Sequence, residues 1–151
     1  MSREWYFAYG SNMNPARMAQ RGMRMHGALA ATLTGWQLSF NKRAHGKQGV
    51  AYANIVESAD SQVPGVLYGL RGFDDIRRMD VFEGWPERYR REQLFVTTAD
   101  GNRQCCWIYI ANPHWQEADL LPERWYLNHL LSGRPWLPEH HYRWLCGVPC
   151  F

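Results

Sequence analysis

The sequence has no apolar run long enough to cross a membrane as a helix, and its opening residues lack the basic stretch and apolar core of a secretory leader. These two absences lead us to expect a cytoplasmic protein with no membrane partner. Charge of one dominant sign is missing as well: 17 basic side chains against 14 acidic ones leave +3. The densest basic stretch, Arg88-Tyr89-Arg90-Arg91, is bracketed by Glu87 and Glu92. A nucleic-acid footprint needs basic residues clustered without interleaved acids, so no nucleic-acid partner is expected. The strand aromatics Trp36, Phe40 and Tyr52, which could stack on single-stranded bases, are weighed down by those same acids. Cysteine is scarce, with Cys105, Cys106, Cys146 and Cys150 only. Adjacent Cys105 and Cys106 on a strand point to opposite faces, and Cys146 and Cys150 stand near His140 and His141 at no spacing typical of a metal site. We expect free thiols and no metal, and no Ser or Cys triad is evident.

What remains is an aromatic-rich chain of 151 residues, 15% Phe, Trp and Tyr. That length suits one domain, burying about 68–70% of the surface its unfolded form exposes. Trp5 to Tyr9 reads as a strand, with Trp5, Phe7 and Tyr9 on one face and Tyr6 and Ala8 on the other. Asn14-Pro15 opens a short helix that stops near Gly22. Alternation then predicts strands before Gly35, over Trp36–Phe40, over Val50–Val56 and over Val66–Leu70, with a polar, mobile segment at 41–48. A helix is expected from Asp75 to about Phe82. Strands from Gln93 to Thr98 and Gln104 to Ala111 follow, joined by the hairpin signal Ala99-Asp100-Gly101-Asn102. Pro122 and Pro138 open two further helices, the first turning Trp125, Leu127, Leu130 and Leu131 inward. In the same tail Trp125, Trp136 and Trp144 read as helix-packing core rather than an interaction face. With no βαβ alternation, the expected fold class is α+β: a single domain over 1–151, with a mostly antiparallel, barrel-like sheet of six to seven strands and three to four short helices. The strand alternation singles out no exposed edge for self-association.

Two stretches could carry chemistry. In Tyr9-Gly10-Ser11-Asn12-Met13 a run of strand formers breaks into residues that expose consecutive backbone N–H groups just before a helix start. Such a loop is either a plain turn or a site for a carboxylate or oxyanion. In Asp80-Val81-Phe82-Glu83-Gly84-Trp85 a carboxylate sits between aromatics at a helix end. Apolar neighbours and the helix dipole both resist its ionisation, which would suit a general acid/base; a solvated surface Glu is the other reading.

Tyr6-Phe7-Ala8-Tyr9-Gly10-Ser11-Asn12, Val63-Pro64-Gly65-Val66-Leu67-Tyr68, the Met79–Gly84 stretch followed by Tyr89, and Tyr126 with Gly133, Leu137-Pro138 and Tyr142 together resemble the γ-glutamylcyclotransferase family in order and spacing. The resemblance implies a β-barrel-centred α+β fold and a cofactor-independent enzyme that turns a small γ-glutamyl amino acid into 5-oxoproline and the free amino acid. It makes Glu83 the catalytic acid/base. It places substrate contacts at Tyr6, Phe7, Ala8, Tyr9, Gly10, Ser11, Asn12 and Met13, and at Tyr89 and Tyr126. Asn12 matches the branch acting on γ-glutamyl amino acids, whereas the glutathione-specific branch usually carries Leu there. Trp85-Pro86 departs from the pattern, which leaves substrate choice open to γ-glutamylamines, and a non-catalytic small-molecule binder of the same fold is the reading from another class.

Overall fold

A computed structural model describes residues 3–151. Five strands, β1 (Glu4–Ala8), β2 (Met25–Arg43), β3 (Ala51–Leu70), β4 (Tyr89–Thr98) and β5 (Arg103–Ala111), close into a barrel in the order β1-β3-β2-β4-β5. Every pairing is antiparallel except β1 with β5, which meet in parallel at Tyr6 and Trp107. Four α-helices surround it: α1 (Pro15–Gln20), α2 (Phe73–Glu83), α3 (Arg124–Leu131) and α4 (Glu139–Cys146). The α+β class and the barrel are as expected, but the sheet is mixed and has five strands rather than six or seven.

The missing strands were fused, not lost. Gly35, read as a break, adopts φ +89 at a register shift between Thr34 and Trp36, so β2 runs on through a bulge. In β3 the Pro64-Gly65 pair also fails to end the strand. Pro64 lies beyond the end of β1, which pairs only with Val66 to Leu70, so its missing N–H removes no bond on that side. Gly65 is required by crowding: a Cβ there would stand 2.4 Å from the Ala8 carbonyl oxygen and 2.6 Å from Phe7.

Segment 41–48 is also not a loop throughout, because β2 continues to Arg43. Fully buried Asn54 holds it there, donating to Asn41 Oδ1 at 3.0 Å and accepting from Ala111 N–H at 2.8 Å. The core fills the barrel with Phe7, Leu33, Ile55, Val63, Leu67 and Ile108, and extends to Met13, Met18, Leu127 and Leu130 beneath α1 and α3.

Helix ends follow their local signals more closely. Asn14 caps α1 by accepting from Ala16 N–H, with Pro15 at the first position. α2 starts at Phe73, two residues before the expected Asp75, and the Asp75 carboxylate bonds back to the Arg71 N–H at 3.1 Å. α3 begins at Arg124 rather than directly at Pro122. On it Leu127 and Leu130 are buried as expected, but Trp125 is 42% exposed, and Trp144 on α4 is 50% exposed. Trp125 instead lies against the cations of Arg17 and Lys47, at 5.7 and 5.6 Å, which favours a wet outer position. Among the described residues no helix is long and apolar enough to cross a membrane, and no three His, Cys, Asp or Glu side chains gather as a metal site.

Candidate active site

Where β1 ends, Tyr9 leaves the barrel and residues Ser11–Met13 form one turn of 3-10 helix before α1. The Met13 N–H bonds the Gly10 carbonyl at 3.0 Å, so the run of available donors is three residues long, not four. The N–H groups of Gly10, Ser11 and Asn12 make no hydrogen bond to another described residue, and all three residues line a cavity of about 200 Å³. Gly10 has no positive φ here; it is small because a Cβ would stand 3.2 Å from both Ala53 Cβ and the Tyr126 hydroxyl.

Asn12, 3% exposed, ties this loop to the rest of the cavity. Its amide nitrogen faces Tyr6 Oη at 3.0 Å, Glu83 Oε1 at 3.3 Å and Met79 Sδ at 3.4 Å, its Oδ1 accepts from Arg21 at 3.1 Å, and its backbone carbonyl accepts from Tyr68 Oη at 2.7 Å. Ser11 Oγ accepts from Arg17 Nε at 3.1 Å. The loop is thus held by its side chains, which leaves its backbone donors unbonded to the protein.

Glu83 arrives from the opposite wall. α2 is pinned to the barrel three residues earlier by Asp80, which accepts from both Arg91 Nε and Nη2 at 2.9 and 3.2 Å and from Tyr109 Oη at 2.7 Å. Gly84, in the left-handed conformation at φ +68, ends the helix and lets the Arg88 side chain cross where a Cβ would otherwise stand 2.0 Å from Arg88 Nε. Glu83 is half-buried with its carboxylate on the cavity wall. Burial pushes its pKa above the ordinary glutamate value, against the opposing pull of Arg21, then Lys42, Arg17 and Arg88. Burial likewise holds the phenols of Tyr6, Tyr9, Tyr89 and Tyr126 above their usual value, so at neutral pH they remain O–H groups.

Tyr89 and Tyr126 meet on one residue. The register shift between Ser39 and Lys42 leaves Ala53 opposite a bulge, and its N–H donates to Tyr126 Oη at 2.8 Å while its carbonyl accepts from Tyr89 Oη at 2.7 Å. The two phenols therefore complete the backbone bonding of a strand defect beside the loop.

Of the residues singled out in the sequence, the fold brings Tyr6, Tyr9, Gly10, Ser11, Asn12, Glu83, Tyr89 and Tyr126 around this cavity. Phe7, Ala8 and Met13 are buried in the core instead, Met13 facing Gly133, where a Cβ would stand 2.9 Å from it. Four cations on the wall, Arg17, Arg21, Lys42 and Arg88, escaped the sequence reading. The register shift between Ser39 and Lys42 breaks the strand alternation there, so no local signal marked Lys42. Trp85-Pro86 stays outside the cavity: Trp85 covers Arg91 at 4.3 Å and the Pro86 carbonyl accepts from Asn112. A larger groove between β2, β4 and the Pro135–Pro138 segment contains no titratable side chain, which removes it as a place for proton chemistry.

A family model described as gamma-glutamyl cyclotransferase, AIG2-like, matches residues 6–128. The chain belongs to that family. Among solved structures, it resembles one titled gamma-glutamyl cyclotransferase, with 23% identity, TM-score 0.84 and coverage of 99% of this chain and 90% of the other. An uncharacterized protein from Homo sapiens gives 24% identity and TM-score 0.84 over 100% and 90% of the two chains. YkqA from Bacillus subtilis gives 22% and 0.84, covering all of this chain and 57% of its own. At such identities the likeness is one of fold. Comparison with curated proteins returns no match.

Proposed function

We propose that the protein is a cyclotransferase that converts a γ-glutamyl amino acid into 5-oxoproline and the free amino acid. The observation that carries the proposal is the pairing of Glu83, a carboxylate with a raised pKa on the cavity wall, with a loop that lines the same cavity and has three N–H groups unbonded to any described residue. Family membership supports the reaction class.

In this reading the substrate's α-amine attacks its own γ-carbonyl, so no enzyme nucleophile is required. Glu83 removes a proton from the α-ammonium, and a raised pKa narrows the gap between base and ammonium. The developing oxyanion takes hydrogen bonds from the N–H groups of Gly10 to Asn12, each such donor contributing about 2.7–4 kcal/mol. As the tetrahedral centre collapses, Glu83 returns that proton to the leaving nitrogen, and the excess proton left on the attacking nitrogen passes by the same carboxylate to the departing amine, which leaves as an ammonium with the carboxylate restored. The cations of Arg17 and Arg21 flank the loop and hold the substrate's α-carboxylate. Confinement in a cavity of about 200 Å³, smaller than the ~300–1,000 Å³ of a typical drug site, favours a dipeptide-sized substrate folded for ring closure.

The test is 5-oxoproline release from γ-glutamyl-alanine, a γ-glutamylamine and glutathione, with Glu83→Gln as control. Release from γ-glutamyl-alanine that Glu83→Gln abolishes while retaining its melting profile supports the reading. A wild-type protein inert on all three compounds contradicts it.

A further inference from the structure

Lys42 is 2% exposed, yet among the described residues its ammonium makes no hydrogen bond and no ion pair. Its ammonium stands 4.8 Å from the ring centre of Trp115, 5.3 Å from that of Tyr52 and 5.5 Å from that of Tyr89, within an aromatic frame at the barrel end of the cavity. Arg88 lines the same cavity, and of the charges around Lys42 it acts most strongly on it, followed by the opposing pull of Glu83. Two cations, one buried and one half-buried, bordering one cavity are costly unless an anion joins them there. Among the described residues Glu83 is the only acidic group lining the cavity, and it is bonded to Asn12 at 3.3 Å and not to Lys42.

We infer that Lys42 and Arg88 form a carboxylate subsite for the leaving amino acid, making the substrates γ-glutamyl amino acids in preference to γ-glutamylamines. The inference rests on the cyclotransferase reading above. Arg17 and Arg21 are bonded to the loop side chains Ser11 and Asn12, where ring closure would draw the glutamyl half together, while Lys42 is bonded to neither. Glu83, bonded to Asn12 and drawn by both Arg21 and Lys42, would serve the attacking and the leaving nitrogen. The leaving residue then extends toward Lys42, and its carboxylate supplies the missing counter-charge. A γ-glutamylamine carries no such group and leaves the Lys42 end unneutralised.

The experiment compares γ-glutamyl-alanine with γ-glutamyl-alaninamide, which differs only in that carboxylate, on wild type, Lys42→Met and Lys42→Arg, with thermal melts of each. Wild type should prefer the acid by about 10- to 100-fold in kcat/KM, the scale of one hydrogen bond to a charged group. Lys42→Met should bring that ratio close to 1, and Lys42→Arg should restore most of it. A wild type without preference, or a Lys42→Met protein that melts normally and keeps the wild-type ratio, overturns the subsite but leaves the cyclotransferase standing. Equal losses on acid and amide overturn it too, by assigning Lys42 to the shared glutamyl half. A wild type that releases no 5-oxoproline from either compound overturns both readings.

Discussion

On the loop that lines the cavity Ser11 is bonded to Arg17 and Asn12 to Arg21, whereas the ammonium of Lys42, at the barrel end, makes no hydrogen bond or ion pair among the described residues. The two ends carry charge of the same sign and border the same space, but they differ in what has been satisfied before a ligand arrives. Bonding among the loop's side chains fixes its backbone donors in place, which is preorganisation. The barrel end is incomplete until an anion enters. On the proposed reading, one end holds a reacting centre in fixed geometry and the other chooses what is attached to it.

The largest expected effect breaks the reacting centre. Glu83→Gln keeps the Asn12 contact sterically but cannot move protons, and 5-oxoproline release should fall by at least about 10²-fold, the lower range for general acid/base help. Binding of a γ-glutamyl amino acid, followed by calorimetry, should persist. Next in size, Asn12→Ala removes the side chain that joins loop, Arg21 and Glu83. We expect kcat to drop about 10- to 100-fold with a smaller change in KM, and stability to fall by about 1–3 kcal/mol through the partners left unbonded, read by urea titration.

A third variant probes the strand defect between the two ends. Tyr126→Phe leaves the buried Ala53 N–H without an acceptor, at a cost of about 1–3 kcal/mol, which for a chain of this size lowers Tm by about 2–4 °C per kcal/mol. The smallest effect should appear in stability alone. Burial, then Arg88, pushes the Lys42 ammonium down to about 8 from its usual 10.5. Because the unfolded chain binds this proton more tightly, Lys42 destabilises the fold most below pH 8, and stability recovers as pH rises from about 8 to 10.5. Melts of wild type and Lys42→Met should therefore differ most at pH 7, with Lys42→Met the more stable, and converge by pH 10.5.

This contrast also explains what could be read from the sequence. The loop end was legible because its signals are local: Gly10-Ser11-Asn12 after a strand, Asn14-Pro15 starting a helix, Gly84 ending one beside Glu83. The hairpin at Ala99–Asn102 was legible for the same reason, since Thr98 and Arg103 bound it as strand ends. The barrel end depends on contacts between distant residues. Lys42 reads as the start of a polar loop until Asn54 and Ala111, far along the chain, hold β2 in the barrel. Gly35 reads as a break, and Val50–Val56 and Val66–Leu70 as two strands, because nothing local says that the partner strand continues past them. Trp125, two positions and so about 200° round the helix from buried Leu127, faces outward, where Arg17 and Lys47 lie beside its ring.

The account turns on Glu83 as the group that carries the proton, and the pH dependence of 5-oxoproline release from γ-glutamyl-alanine, measured for wild type and Glu83→Gln together, tests this most directly. Wild type should show an acid limb whose midpoint lies above the ordinary glutamate pKa, since burial raises it, with activity rising as pH climbs through that midpoint. Glu83→Gln should be far slower and lack the limb. A folded Glu83→Gln protein with the wild-type rate, or with the same acid limb, would contradict the assignment.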